Sequence, residues 1–266
     1  MSSCIGLIGY PLKHSISPYF QQAALDFYRL DIRYEAWETI PVELPAVVKN
    51  LRNPENLGAN VTVPYKETVL SLLDAVDDLA CSIGAVNTIV KKGNKLVGAN
   101  TDAHGFVLLQ RKIASLAITD GVFERAHALA DDLVGHIAET SSGSRDLEPS
   151  ISSFEWQNLD STGTLAGCEL IVHCTTIGMK DSPQEGQSPL RLEVIPEGVL
   201  VYDVVYNPRL TPLLKLAREA GADTLDGLPM LVYQGAASFR LWLGKEAPVD
   251  VMLKTAEEML AGKQQR

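Results

Sequence analysis

Short apolar runs alternate with helical stretches along nearly the whole of this chain, an alternation that points to an α/β architecture. Cys4 to Ile8 reads as a strand, about Pro18 to Leu30 as a helix, and Arg33 to Ile40 as a strand again. Ser17-Pro18 is a sound helix start, because serine caps and a first-turn proline gives up a donor that would be orphaned anyway. A helix near Val42 to Asn53, a strand at Ala59 to Val63 and a helix from Glu67 to about Ile83 follow. Val86 to Val90 and Lys95 to Gly98 flank Lys92-Gly93-Asn94, which reads as a hairpin turn. Together these elements predict a mostly parallel first domain.

A second series begins after Asp102, with strands at Ser115 to Thr119, Glu169 to Cys174 and Val199 to Val205. Its helices fall at Phe123 to Ile137 and Pro212 to Ala220, and Ser141 to Arg145 reads as a short flexible loop. Pro229 to Leu243 and Val249 to Leu260 read as amphipathic helices. A chain of 266 residues exceeds the usual single domain. The expected division is a first domain at 1–102, a second at 103–228, and C-terminal helices at 229–266.

A hydrophobic share of 46% is enough for a packed core. The net charge of −10 argues against a nucleic-acid partner and gives no pull toward anionic membranes. It would also repel an anionic substrate, so local donors have to overcome the global field. Cys4, Cys81, Cys168 and Cys174 show no CxxC spacing, and their apolar neighbours predict buried thiols rather than disulfides or metal ligands. The histidines form no metal-spaced cluster either. The first residues lack a basic stretch ahead of a long apolar run, and no run approaches transmembrane length, so a soluble, cytoplasmic protein is expected.

The chemistry concentrates in Asn60-Val61-Thr62-Val63-Pro64-Tyr65-Lys66, Gly84-Ala85-Val86-Asn87-Thr88 and Asn100-Thr101-Asp102. These place one lysine and one aspartate, with small polar side chains, at the ends of three β-rich segments. A lysine beside a carboxylate can exchange a proton with an alcohol or ketone oxygen. Ser15 and Ser17, just ahead of a helix, can hold a carboxylate with nearby backbone N–H groups, although Ser17 can equally be only a cap. Thr62, Asn87 and Gln234 offer the donors and acceptors that the hydroxyls of a polyol need.

With Gly9-Tyr10-Pro11, His14-Ser15-Ile16-Ser17-Pro18, Tyr202 to Pro208 and Gly227 to Gln234, these motifs run in one order that closely resembles the shikimate dehydrogenase family. The resemblance spans nearly the whole chain. It implies a two-domain α/β fold whose C-terminal helices return to the first domain, and reversible NADP- or NAD-dependent reduction of 3-dehydroshikimate to shikimate in aromatic amino-acid biosynthesis. It also implies a catalytic pair, in which Lys66 donates the proton to the substrate oxygen while Asp102 orients Lys66 and a hydroxyl. By the same resemblance Ser15, Ser17 and Tyr206 bind the substrate carboxylate, and Asp78, Val204 and Gly227 match positions on the nicotinamide side. Asp78 can equally belong to a solvated acidic helix face with Asp74 and Asp77. A monomer or homodimer acting on a small molecule, with no metal, is expected.

The cofactor half departs from the family. A dinucleotide domain opens with a strand, a Gly-rich turn and a helix, and an acidic or basic selector follows roughly 20 residues after the glycines. The best selector is Asp120, yet only seventeen residues, Ala103 to Thr119, separate it from Asp102, and no GxGxxG lies among them. A βαβ unit needs roughly 30 residues or more, so the first βα unit is absent, with the junction near Gln110-Arg111-Lys112. Where the family commonly has Asn-Arg-Thr, this chain has Asp120-Gly121-Val122, which favours NAD; Arg125 matches a more distant basic position. Two alternatives stand beside the dehydrogenase: a shikimate-binding paralogue without dinucleotide-dependent activity, and an NAD-preferring quinate or shikimate dehydrogenase.

Overall fold

The computed structural model describes residues 3–105, 115–140, 150–159, 163 and 165–264. The loop expected at Ser141 to Arg145 and the junction near Gln110 lie outside the described residues. The chain divides into two compact units: Met1–Phe106 with Leu228–Arg266, and Val107–Gly227.

In the first unit, β1 (Ser3–Gly9), α1 (Ser17–Phe27), β2 (Ile32–Glu38), α2 (Leu44–Asn50) and β3 (Asn56–Val61) follow the expected alternation. The remaining elements before the unit boundary are β4 (Ala75–Val76), α3 (Asp78–Ile83), β5 (Thr88–Lys92), β6 (Lys95–Ala99) and α4 (Asp102–Gly105). One six-stranded sheet has the order β2-β1-β3-β5-β6-β4. β1 pairs in parallel with both β2 and β3, whereas the hairpin β5–β6 runs antiparallel to β3 and within itself. Residues 4–9 of β1 are all buried, as expected of a strand covered on both faces. At Gly6 an added Cβ would fall 2.1 Å from the Trp37 ring, so only glycine fits there.

The helix expected from Glu67 to Ile83 does not form as one piece. A 3₁₀ turn at Thr68–Leu72, then β4, then α3 occupy that stretch. The reason is tertiary. The Arg52 guanidinium grips Asp74 through two hydrogen bonds of 2.7 and 3.1 Å, and Asp74 also accepts the Leu96 N–H at 2.7 Å, which pins Asp74 and holds the following Ala75–Val76 as a strand beside β6. That guanidinium, with the Leu96 N–H, holds the Asp74 carboxyl below the usual carboxylate range. Asp77 then caps α3 by accepting the Ala80 N–H at 2.7 Å.

The last two helices, α7 (Leu228–Leu243) and α8 (Val249–Gln264), belong to this unit. Both contact α1, whose Phe20 and Leu25 are buried, as are Phe239, Met252 and Ala256 of the partner helices. Opposite them, Ile8, Leu44, Val48, Leu51, Val61, Val69, Ile89 and Leu96 form one apolar cluster. Each such aliphatic side chain contributes about 1.5–3 kcal/mol on full burial. Because α4 packs on α7, residues 102–105 stay with the first unit.

The second unit contains β7 (Ser115–Ile118), α5 (Phe123–Thr140), β8 (Ser150–Ser153), β9 (Leu170–His173), β10 (Leu200–Asp203), α6 (Pro212–Glu219) and β11 (Asp223–Leu225). Strands β8 and β11 go beyond the sequence expectation; both are short, and they register through pairing. The described strands form two parallel sheets, β7-β8 and β11-β10-β9. Val201, Leu213, Leu214 and Ala217 centre its core. Two cysteine expectations fail: Cys4 is buried and Cys168 partly so, but Cys81 and Cys174 are exposed, one on the outer side of α3 and one just past the end of β9. Local apolar neighbours do not fix which face a residue takes. All four thiols are free.

Candidate active site

Three strand ends of the first unit converge on one ion pair. The Val86 N–H donates to the Lys66 carbonyl at 2.7 Å and fixes the backbone after β3. The Asn100 side chain donates to the Ala85 carbonyl at 2.9 Å and accepts the Ala103 N–H at 3.2 Å, which starts α4 at Asp102. Lys66 Nζ and Asp102 Oδ2 then lie 2.8 Å apart, with 35% and 27% of their side chains exposed. The pair is thus shielded enough for a strong contact and open enough to reach a ligand.

Next to it sits a buried polar network, to which Tyr34 and Ser238 contribute beside the residues of the three motifs. Asn87 donates to Thr101 Oγ1 at 2.9 Å and Gln234 Oε1 at 3.3 Å, and its side-chain Oδ1 accepts the Thr101 N–H at 2.8 Å. Asn60 donates to Thr88 and Ser238 and accepts the Tyr34 phenol at 2.8 Å; burial pushes that phenol's pKa up. Ser238, from α7, also lies 2.8 Å from Thr88. The signal for this network is polar residues inside otherwise apolar strands, as in Gly58-Ala59-Asn60-Val61. Its effect is to hold Thr101, and with it Asp102, in a fixed place.

Of the other expected residues, Ser15 and Thr62 are half-buried and Ser17 is buried. The capping expectation is corrected: Ile16 is the residue flanking α1, and Ser17 makes no capping bond. Ser15 Oγ instead accepts the Ser17 N–H at 3.3 Å. Asn87 is buried with its amide engaged as described, while Gln234 is half-buried and donates to the Leu231 carbonyl. Asp78 is exposed in the first turn of α3. Its expected companions in a solvated acidic face differ, since Asp74 is clamped by Arg52 and Asp77 is the cap.

In the second unit, Tyr206 is half-buried three residues past β10, and burial raises its phenol pKa, so it stays a protonated donor at neutral pH. Val204 donates to the His173 carbonyl at 3.0 Å. Gly227 approaches it so closely that a Cβ would fall 1.9 Å from the Val204 carbonyl oxygen. Asp203 is fully buried and serves three partners: His173 Nδ1 at 2.9 Å, the Val205 N–H at 3.0 Å and the Thr211 hydroxyl at 2.6 Å. Asp120 follows β7 and accepts the Val122 N–H at 2.8 Å, while Arg125 is exposed on α5. Among the described residues no group of His, Cys, Asp and Glu could hold a metal.

For a dinucleotide, the ribose end fits and the pyrophosphate does not. Asp120 has a carboxylate oxygen beyond the one its turn uses, suited to a ribose hydroxyl. No strand, glycine-rich turn and helix in sequence occurs in the second unit among the described residues.

Residues 7–89 match the model of the shikimate dehydrogenase substrate-binding domain, and residues 227–257 match that of the shikimate 5'-dehydrogenase C-terminal domain. A shikimate dehydrogenase (NADP(+)) of Thermosynechococcus vestitus is 36% identical over 274 residues, covering 96% of this chain and 95% of the relative. Shikimate 5-dehydrogenase from Thermus thermophilus, solved with NADP(H) and shikimate, superposes with a TM-score of 0.80 at 30% identity, over 96% of this chain and 99% of that one. The Listeria monocytogenes enzyme, solved with shikimate and NAD, gives 0.80 at 29% identity, over 97% and 96%. With this likeness along its full length, the chain belongs to the shikimate dehydrogenase family.

Proposed function

We propose that the protein catalyses the reversible reduction of 3-dehydroshikimate to shikimate, with NADP or NAD as the redox partner. The observation that carries this reading is the Lys66–Asp102 pair, 2.8 Å apart beside a satisfied network of amides and hydroxyls. A carbonyl becoming an alcohol needs a proton at its oxygen. Lys66 supplies it and takes it back in the oxidative direction. Asp102 keeps the ammonium in place, stabilises its charge before transfer, and accepts from a substrate hydroxyl. Ser15 and Ser17, at the N-terminal side of α1, and the protonated phenol of Tyr206 bind the carboxylate. Thr62, Asn87 and Gln234 sort the ring hydroxyls.

Asp78, Val204 and Gly227 serve the nicotinamide side, with Arg125 a secondary basic contact. Asp120 repels a 2′-phosphate, so NAD is preferred; a relative has been solved with shikimate and NAD. The protein acts in the cytoplasm as a monomer or homodimer; among the described residues no helix is long and apolar enough to cross a membrane. The test compares shikimate with its methyl ester in calorimetry and in oxidation assays with each nucleotide. The acid should bind better by about 1.5–3 kcal/mol per charge-assisted hydrogen bond lost. Equal binding of acid and ester, or no turnover with either nucleotide, would defeat the reading.

A further inference from the structure

An open doubly wound sheet of order 3-2-1-4-5-6 takes its nucleotide at the point where the strand order reverses, between strands 1 and 4. Removing strand 1 from that order leaves two pieces, 3-2 and 4-5-6. The second unit has these two pieces: β8-β7 and β9-β10-β11. The edges that would flank a central strand are β7 and β9, which among the described residues pair only with β8 and β10. Thr119 Oγ1, just past the end of β7, is buried without a hydrogen-bond partner there. Nine residues, Phe106 to Ala114, separate α4 from β7, and none is glycine. That is too short for a strand, a phosphate loop and a helix.

The helices that remain do not substitute. At the start of α5 the Asp120 carboxylate already accepts the Val122 N–H, and Glu124 lies in the first turn, so the approach is anionic. At the start of α6 the Thr211 hydroxyl accepts the Leu214 N–H and donates to buried Asp203. The α5 entrance therefore presents acidic groups, and at the α6 entrance the Leu214 N–H is already taken, where a phosphate would need donors.

Resting on the dehydrogenase reading above, we propose that this protein recognises its nucleotide without a pyrophosphate site, through the ribose at Asp120 and the ends of β9 and β10. The diphosphate then adds no affinity. Losing two charge-assisted hydrogen bonds alone weakens dinucleotide binding on the order of 100-fold or more.

The test uses the full chain, with the Thermus thermophilus relative measured alongside, and titrates adenosine, ADP and NAD+ by calorimetry, with and without shikimate. Expected are measurable adenosine binding with ADP no tighter than adenosine, and NAD+ at least about 100-fold weaker than the better dinucleotide of the relative; no binding of adenosine would refute recognition through the ribose. ADP binding ten times tighter than adenosine, or NAD+ within tenfold of the relative's value, would overturn the proposal. Shikimate binding is scored separately: its absence would count against the dehydrogenase reading, while the nucleotide titrations decide the pyrophosphate site.

Discussion

The two units treat their buried polar groups differently. In the first, Tyr34, Asn60, Asn87, Thr88, Thr101 and Ser238 join into one connected network reaching from β2 to α7, and the reactive pair stands at its edge. In the second, satisfaction is local around Asp203, and the two buried hydroxyls without a partner among the described residues, Thr119 and Ser182, both lie there. A complete sheet lets side chains from distant segments complete one another. A sheet divided at its centre leaves Thr119, just past the end of β7, with nothing to face.

The sharpest way to break the contrast is Lys66→Ala. Turnover should fall about 10²–10⁴-fold, with shikimate binding changed far less, because the proton matters chiefly in the transition state. An unchanged kcat would make the first unit a binding scaffold and erase its catalytic distinction.

Stability effects come next. Asp203→Ala orphans His173, Thr211 and the Val205 N–H together, and should cost about 3 kcal/mol or more, with hydrogen exchange accelerating in residues 165–227 and not in β1 or β3. Ser238→Ala should cost about 1–3 kcal/mol and loosen β5 and α7. Exchange that spreads evenly over both units in either variant would show that the two share one cooperative network. The smallest effect sharpens the cofactor side: Asp120→Asn should raise the NADP+ to NAD+ ratio of kcat/KM by about tenfold, equivalent to roughly 1.4 kcal/mol. No change would mean that Asp120 does not face the nucleotide.

Much of the site was legible from residue order. The Lys66 and Asp102 motifs each end a β-rich segment, and a strand end is where a side chain leaves the core for a ligand. The pairing itself, at 2.8 Å, required folding, since 36 residues separate the two. The capping role expected of Ser17 failed because the chain turns one residue earlier, at Ile16, and the Ser15 hydroxyl takes up the N–H. The helix expected over Glu67–Ile83 failed because Arg52, distant in sequence, claims Asp74. Ser238 was invisible as a polar anchor, being one small residue inside an apolar helix.

By itself, the amino-acid order determined the α/β alternation, the family and the absence of a glycine-rich phosphate loop, because each depends on local periodicity, motif identity or chain length. Only the tertiary structure decided that β7-β8 and β9-β10-β11 stand as separate sheets and that Thr119 is left without a partner. The same holds for the network of Asn60, Thr88 and Ser238 that steadies Asp102. Strand pairing and buried hydrogen bonds join residues far apart in the chain, and no local pattern encodes which of them meet.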